Sequence, residues 1–363
     1  NSSLRERGQV LRSIAAELRR RKEELATLAT REMGKPIAQS RAEVEKCATT
    51  LEYYAANARN LLKDEIVETD ARKSYVSFQP LGVILAIMPW NFPYWQVFRA
   101  MAPALMAGNV MILKHASNVS GCALAIQDVL KKAGAPTGIF HTLLLPGSQV
   151  GSLIENNAIA AITLTGSTEA GKKVAAQAGA NIKKQVLELG GSDAYIVLED
   201  ADLDLAVRIA VDGRLVNSGQ SCVAAKRFVV VKEINKEFTR RMVAAMDAAR
   251  FGDPFDTENK IGPLARVDLR DQLHEQVLKS IEKGAKLLCG GFIPEGEGAY
   301  YPPTVLSKVK KGMPAYDEEL FGPVASIIEA KDEKDAIRIA NDSIFGLGAG
   351  IFSRNRKRAE KIA

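Results

Sequence analysis

Apolar residues recur at helical spacing from the start of the chain. Leu4, Val10, Leu11, Ile14, Leu18, Leu25 and Leu28 predict one helix over residues 4–33. Gly34 and Pro36 then break the pattern, and a second helix runs to about Leu62. No capping residue is evident at either end of the chain. Residues 64–79 read as a strand pair, with Ile66-Val67 and Tyr75-Val-Ser-Phe78 on either side of a polar turn.

From Leu81 the periodicity changes. Short apolar runs at 83–88, 110–113, 140–145 and 160–164 alternate with helical stretches at 98–107, 119–133, 150–155 and 170–180. Such alternation predicts βαβ units, hence an α/β fold with a parallel sheet. Ligands gather at the carboxyl ends of its strands. Further strands are expected at 194–198, 227–231, 286–289 and 325–329, with a helix at 203–217 and another closing the chain from Arg354. Neither an internal repeat nor a low-complexity linker interrupts the pattern. A chain of 363 residues suggests two domains.

Composition narrows the classes. With 47% apolar and 25% charged residues the chain is of soluble, globular type. The most apolar stretch, 81–93, is too short and too rich in proline to cross a bilayer, so no membrane role is expected. No signal peptide opens the chain. Cys47, Cys122, Cys222 and Cys289 form no close pair, so neither a disulfide framework nor a zinc site is expected, and a reducing, cytoplasmic setting fits. His115, His141 and His274 are scattered and suggest no metal site. The net charge of +6 owes much to the basic run at 19–22, read as a solvated helix face. Without aromatic platforms or zinc-finger spacing it does not indicate nucleic acid.

Four motifs carry chemistry. Asn217-Ser-Gly-Gln-Ser-Cys222 sets one thiol after a glycine turn, where a cysteine serves as a nucleophile or as a small core residue. Glu188-Leu-Gly-Gly191 offers a distant carboxylate as its base, or a surface acid before a turn. Pro89-Trp-Asn-Phe-Pro93 frames Asn91 between prolines, as an aimed amide or merely a tight turn. Thr165-Gly-Ser-Thr-Glu-Ala-Gly171 has the composition of a strand-to-helix turn that admits a phosphate, although it lacks the usual dinucleotide fingerprint.

Together with Lys114 and Glu319-Leu-Phe-Gly-Pro323, these motifs stand in an order and spacing that resemble the aldehyde dehydrogenase superfamily over essentially the whole chain. The resemblance implies a Rossmann-like coenzyme domain at 1–63 and 81–190, an oligomerisation hairpin at 64–80 and an α/β catalytic domain at 191–363. It also implies a homodimer or homotetramer, a short segment before this chain, and a further stretch after residue 363.

By the same resemblance Cys222 is the nucleophile, Glu188 the base that activates water, and Asn91 an oxyanion donor beside the Cys222 N–H. Met88, Pro89, Trp90, Lys114, Ser117, Thr165, Gly166, Ser167, Leu189, Glu319 and Phe321 are assigned to the coenzyme. NAD-preferring relatives often carry glutamate three residues after the lysine. Ser117 stands there instead and admits a phosphate beside Lys114, so NADP is expected, with NAD possible. Arg99 lies where succinate-semialdehyde dehydrogenases carry an arginine that grips the distal carboxylate of the aldehyde. Ala224 replaces the second cysteine of redox-switched relatives. An aldehyde dehydrogenase of other substrate range, a CoA-acylating relative and a noncatalytic nucleotide-binding homologue are the competing readings.

Overall fold

The computed structural model describes residues 2–363, in two compact units. The first comprises the chain through Glu32 together with Ser40–Leu189; the second comprises Met33–Gln39 and Gly190–Ala363.

The first unit opens with α1 (Leu4–Arg20), α2 (Lys22–Met33) and α3 (Ile37–Leu61), followed by a small antiparallel pair, β1 (Glu65–Ile66) and β2 (Tyr75–Val76). The single helix expected over 4–33 is two helices. Arg21 breaks it, with its guanidinium turned inward to Glu24 and to Asp128 at 2.9 Å. That side chain is only 6% exposed, so this part of the basic run is buried and paired rather than solvated. The chain start is capped after all: Ser3 Oγ accepts from Glu6 N at 3.2 Å, and the Glu6 carboxylate accepts from Ser3 N at 2.7 Å. This reciprocal box satisfies two amides that the first turn leaves open.

Next come β3 (Val83–Met88), α4 (Trp95–Met106), β4 (Val110–His115), α5 (Ser120–Lys132), β5 (Phe140–Leu143), α6 (Val150–Glu155), β6 (Ile159–Thr165), α7 (Thr168–Ala180) and β7 (Lys184–Glu188). The five strands are parallel, in the order β5-β4-β3-β6-β7. Strand order therefore reverses between β3 and β6, and a doubly wound sheet receives dinucleotides outside the carboxyl ends of such a pair. Leu85, Ile162 and Leu164 anchor the core beneath β3 and β6. β7 escaped sequence reading because an edge strand exposes Lys184, Gln185 and Val186 and lacks an apolar run.

The second unit contains β8 (Asp193–Val197), α8 (Leu203–Leu215), β9 (Ala225–Val231), α9 (Lys232–Asp247), α10 (Val267–Glu282), β10 (Lys286–Cys289), β11 (Thr304–Ser307), α11 (Pro314–Asp317), β12 (Val324–Ala330), α12 (Glu333–Asn341), β13 (Ala349–Phe352) and α13 (Arg356–Ile362). Its sheet runs β10-β11-β12-β9-β8-β13, parallel except for β10 against β11. β9 is central and buried along its whole length, with Phe228, Val229 and Val230 packed between the two helical layers. β11 and β13 were also missed, being four residues each and flanked by proline or glycine. No helix among the described residues is long and apolar enough to cross a membrane.

Candidate active site

In the first unit β3 ends at Met88 and hands over to Pro89-Trp90-Asn91, which puts the framed amide at the point where strand order reverses. Asn91 is 4% exposed. Its turn is held from two sides. The Glu43 carboxylate accepts from Tyr94 N and Trp95 N at 2.8 Å each, which stabilises the positive end of α4. His115 lies between two carbonyls, with Nδ1 at 3.2 Å from Met88 O and Nε2 at 2.8 Å from Pro93 O. Burial lowers the pKa of this imidazole, against the pull of the Pro93 and Met88 carbonyls.

Three assigned residues meet at the adjacent strand ends. Thr165 closes β6 and Glu188 closes β7, paired in register. Arg99, in the first turns of α4, places Nη2 at 3.1 Å from Thr165 Oγ1 and Nη1 at 3.4 Å from the Glu188 carboxylate. The Gly166 N–H donates to the Glu188 carbonyl at 3.0 Å, so the glycine turn and the carboxylate are tied through backbone. Ser167 is exposed and caps α7, accepting from Ala170 N at 3.3 Å. Arg99 and Glu188 line a groove of about 690 Å³ together with Ile84, Pro103, Ala161 and Val186. An ion pair with side chains 34% and 39% exposed is weak, about 1 kcal/mol at most. An incoming anion therefore competes for Arg99 at little cost.

Lys114 and Ser117 lie on the other side of β3, at the end of β4. Partial burial lowers the Lys114 pKa, while Ser117 is exposed and opens a short 3-10 turn before α5. Leu189 packs with the β6 cluster.

The second unit carries Cys222, half-buried, just before β9. The turn before it is left-handed at three successive residues, Asn217, Ser218 and Gly219, with φ of 54°, 55° and 77°. Two of these are not glycine, a conformation that side-chain contacts must sustain. Ser218 Oγ bridges Gly262 O at 3.2 Å and Gly262 N at 3.1 Å, Asn217 N donates to Gln39 Oε1 at 2.6 Å, and Ala265 N donates to Gln220 Oε1 at 2.9 Å. Arg214, fully buried, donates to the Gly219 carbonyl at 2.6 Å.

Glu319 accepts from Gly191 N at 3.1 Å and pairs with Lys226 Nζ at 3.2 Å. A Cβ on Gly190 would stand 2.4 Å from the Glu319 carboxylate, so that residue must be glycine for the carboxylate to stay where it is. Phe321 is half-buried two residues on. Among the described residues no group of three or more His, Cys, Asp or Glu side chains is arranged to hold a metal ion.

Sequence reasoning weighed His115 only as a metal ligand and passed over Glu43, Arg214 and Lys226. A signal existed for the last of these: Lys226-Arg227 is a charged pair inside the apolar run 223–231. Glu43 had none, since nothing local marks a helix acid as the cap of a helix fifty residues on.

The profile of the Aldehyde dehydrogenase family matches residues 1–363. The chain is 52% identical over 357 residues to "Succinate semialdehyde dehydrogenase [NAD(P)+] Sad" of Escherichia coli (strain K12), covering 98% of this chain and 77% of that protein. It is 47% identical over 365 residues to "Succinate-semialdehyde dehydrogenase [NADP(+)]" of Mycobacterium avium (strain 104), covering 100% and 77%. The solved succinic semialdehyde dehydrogenase from Streptococcus pyogenes in complex with NADP+ superposes with a TM-score of 0.97 at 37% identity, covering 100% of this chain and 80% of that one. The chain belongs to the aldehyde dehydrogenase family.

Proposed function

We propose that this chain is an NAD(P)-dependent aldehyde dehydrogenase that oxidises succinate semialdehyde to succinate, with NADP+ as the preferred coenzyme. The relatives named above, whose names carry that activity and those coenzymes, support it. The observation that carries the substrate choice is Arg99, a partly exposed guanidinium lining a largely apolar groove, 3.4 Å from Glu188. An apolar wall suits a short carbon chain, and the guanidinium fork suits its far carboxylate.

The donor set fits a phosphorylated dinucleotide. Lys114 supplies a cation at one strand end, exposed Ser117 supplies a hydroxyl without a repelling carboxylate, and the Gly166 turn opens a helix at the point where strand order reverses. Met88, Pro89, Trp90, Thr165, Ser167, Leu189, Glu319 and Phe321 complete the assigned set, with Glu319 accepting from the nicotinamide ribose. When bound, the coenzyme supplies the hydride acceptor.

The residues do the rest. Cys222 sulfur, as thiolate, bonds to the aldehyde carbon. The Asn91 amide and the Cys222 N–H stabilise the oxyanion. Once hydride has left, the thioester remains on Cys222. Glu188 then takes a proton from water, whose oxygen attacks the acyl carbon and releases the acid and the thiolate. We assign residues 64–80 to oligomer contacts and the protein to the cytoplasm.

The test is an aldehyde panel with NAD+ and NADP+. Succinate semialdehyde with NADP+ is expected to give the highest kcat/KM, and Cys222→Ser to abolish turnover. An uncharged aldehyde turning over as efficiently removes the carboxylate from the substrate assignment. Free acid formed without CoA separates hydrolysis from CoA acylation.

A further inference from the structure

β9 is buried at all seven positions, and Lys226 within it has a side chain 1% exposed. A cation there carries a desolvation cost that an apolar side chain of similar length would avoid. Its Nζ is surrounded by acceptors: the Ser221 and Cys222 carbonyls at 2.9 Å each, the Ala224 carbonyl at 3.3 Å and the Glu319 carboxylate at 3.2 Å. The side chain thus reaches back to the turn that carries the reactive thiol.

The peptide between Ser221 and Cys222 is one rigid plane. Its oxygen is held by Lys226, and its N–H is the oxyanion donor proposed above. The two ends of that plane point in opposite directions, so fixing the oxygen aims the N–H. A cation on a carbonyl also draws electron density through the amide and strengthens its N–H as a donor.

We propose that Lys226 is a positioning residue that aims and polarises the Cys222 N–H through the Ser221 carbonyl, and couples that amide to Glu319. This deepens the functional reading above and rests on it. The groups that face the ammonium are Arg214, Glu319 and Asp193. Burial, reinforced by the Arg214 cation, brings the Lys226 pKa down to about 8, while Glu319 and Asp193 oppose the loss of its proton. The ammonium is therefore in place at neutral pH, and alkaline solution removes it.

The experiment compares Lys226→Met with the wild-type protein in two assays. One is the pre-steady-state burst of reduced coenzyme. The other is the pH dependence of Cys222 alkylation by iodoacetamide without coenzyme, followed at the Cys222 peptide by mass spectrometry. The burst rate is expected to fall about tenfold or more, with KM for the aldehyde little changed. The alkylation profile is expected to move up by about one pH unit, about tenfold slower at pH 7.

A folded Lys226→Met protein with wild-type burst and alkylation overturns the positioning role. Should that variant not fold, Glu319→Gln keeps the ammonium and removes its counter-charge. Its alkylation profile is expected to move to lower pH and its NADP+ affinity to weaken, and an unmoved profile overturns the coupling. A Cys222→Ser protein that still gives a burst would instead sink the nucleophile assignment, whatever Lys226 does.

Discussion

Replacing Gly219 by alanine strikes the turn before Cys222 with almost no change in chemistry. Gly219 has φ of 77°, and a Cβ there would stand 2.3 Å from the carbon and oxygen of Gly322 and 2.7 Å from Pro323 N. These are backbone atoms, so no rotamer change relieves the overlap. The left-handed conformation costs an alanine about 1–2 kcal/mol, and overpacking against backbone adds about 1–3 kcal/mol. A loss of about 2–5 kcal/mol lowers Tm by about 5–15 °C in domains of this size. Relief requires the turn and the Glu319–Pro323 motif to part by about an ångström, a displacement that costs about a hundredfold when reacting groups are involved.

The assays are calorimetry and the hydride burst with succinate semialdehyde and NADP+. Gly312→Ala is the control, because φ there is 90° but nothing lies within 4 Å of the added carbon. It should show the conformational cost alone and keep full activity. Gly219→Ala with Tm within about 2 °C and kcat/KM within about threefold of wild type would refute the claim that the Gly322–Pro323 backbone requires glycine in this turn.

Four further outcomes follow from the same structure. Ser117→Glu puts a carboxylate at an exposed position near Lys114 and should shift the ratio of kcat/KM for NADP+ over NAD+ toward NAD+, by about tenfold or more for a like-charge clash. Asn91→Ala should lower kcat about a hundredfold with KM little altered, read by steady-state kinetics. Arg99→Ala should raise KM for succinate semialdehyde far more than for butanal, and equal effects on both would remove the anchor role. His115 is buried neutral with a lowered pKa, so the unfolded chain binds the extra proton first as pH falls below its ordinary 6.5. Stability should therefore fall as pH drops through that value, and His115→Gln should flatten this part of the Tm-against-pH curve.

Much of this protein was legible because its motifs sit on local signals. The glycine and proline punctuation around Asn91, Gly166 and Cys222 marks turns at strand ends, and β3, β4 and β6 are apolar runs of ordinary length. What escaped was non-local or edge-like. β7 exposes most of its residues, so periodicity shows nothing there although it delivers Glu188. The break at Arg21 depends on an acid in α5, more than a hundred residues away. Glu43 acts on the Asn91 turn from a helix that the sequence gives no reason to place beside it.

β7 is an edge strand of the first unit's sheet. Among the described residues this strand is bonded only to β6, at the margin of its sheet, and it ends in Glu188. Margins open before centres do when a fold is warmed or mildly denatured. The carboxylate proposed to activate water should then drift while the central strands still hold Asn91 and the Gly166 turn. On the residue roles proposed above, under mild stress the enzyme would go on consuming its first aldehyde but stall with the acyl group attached, so that loss of turnover precedes loss of structure.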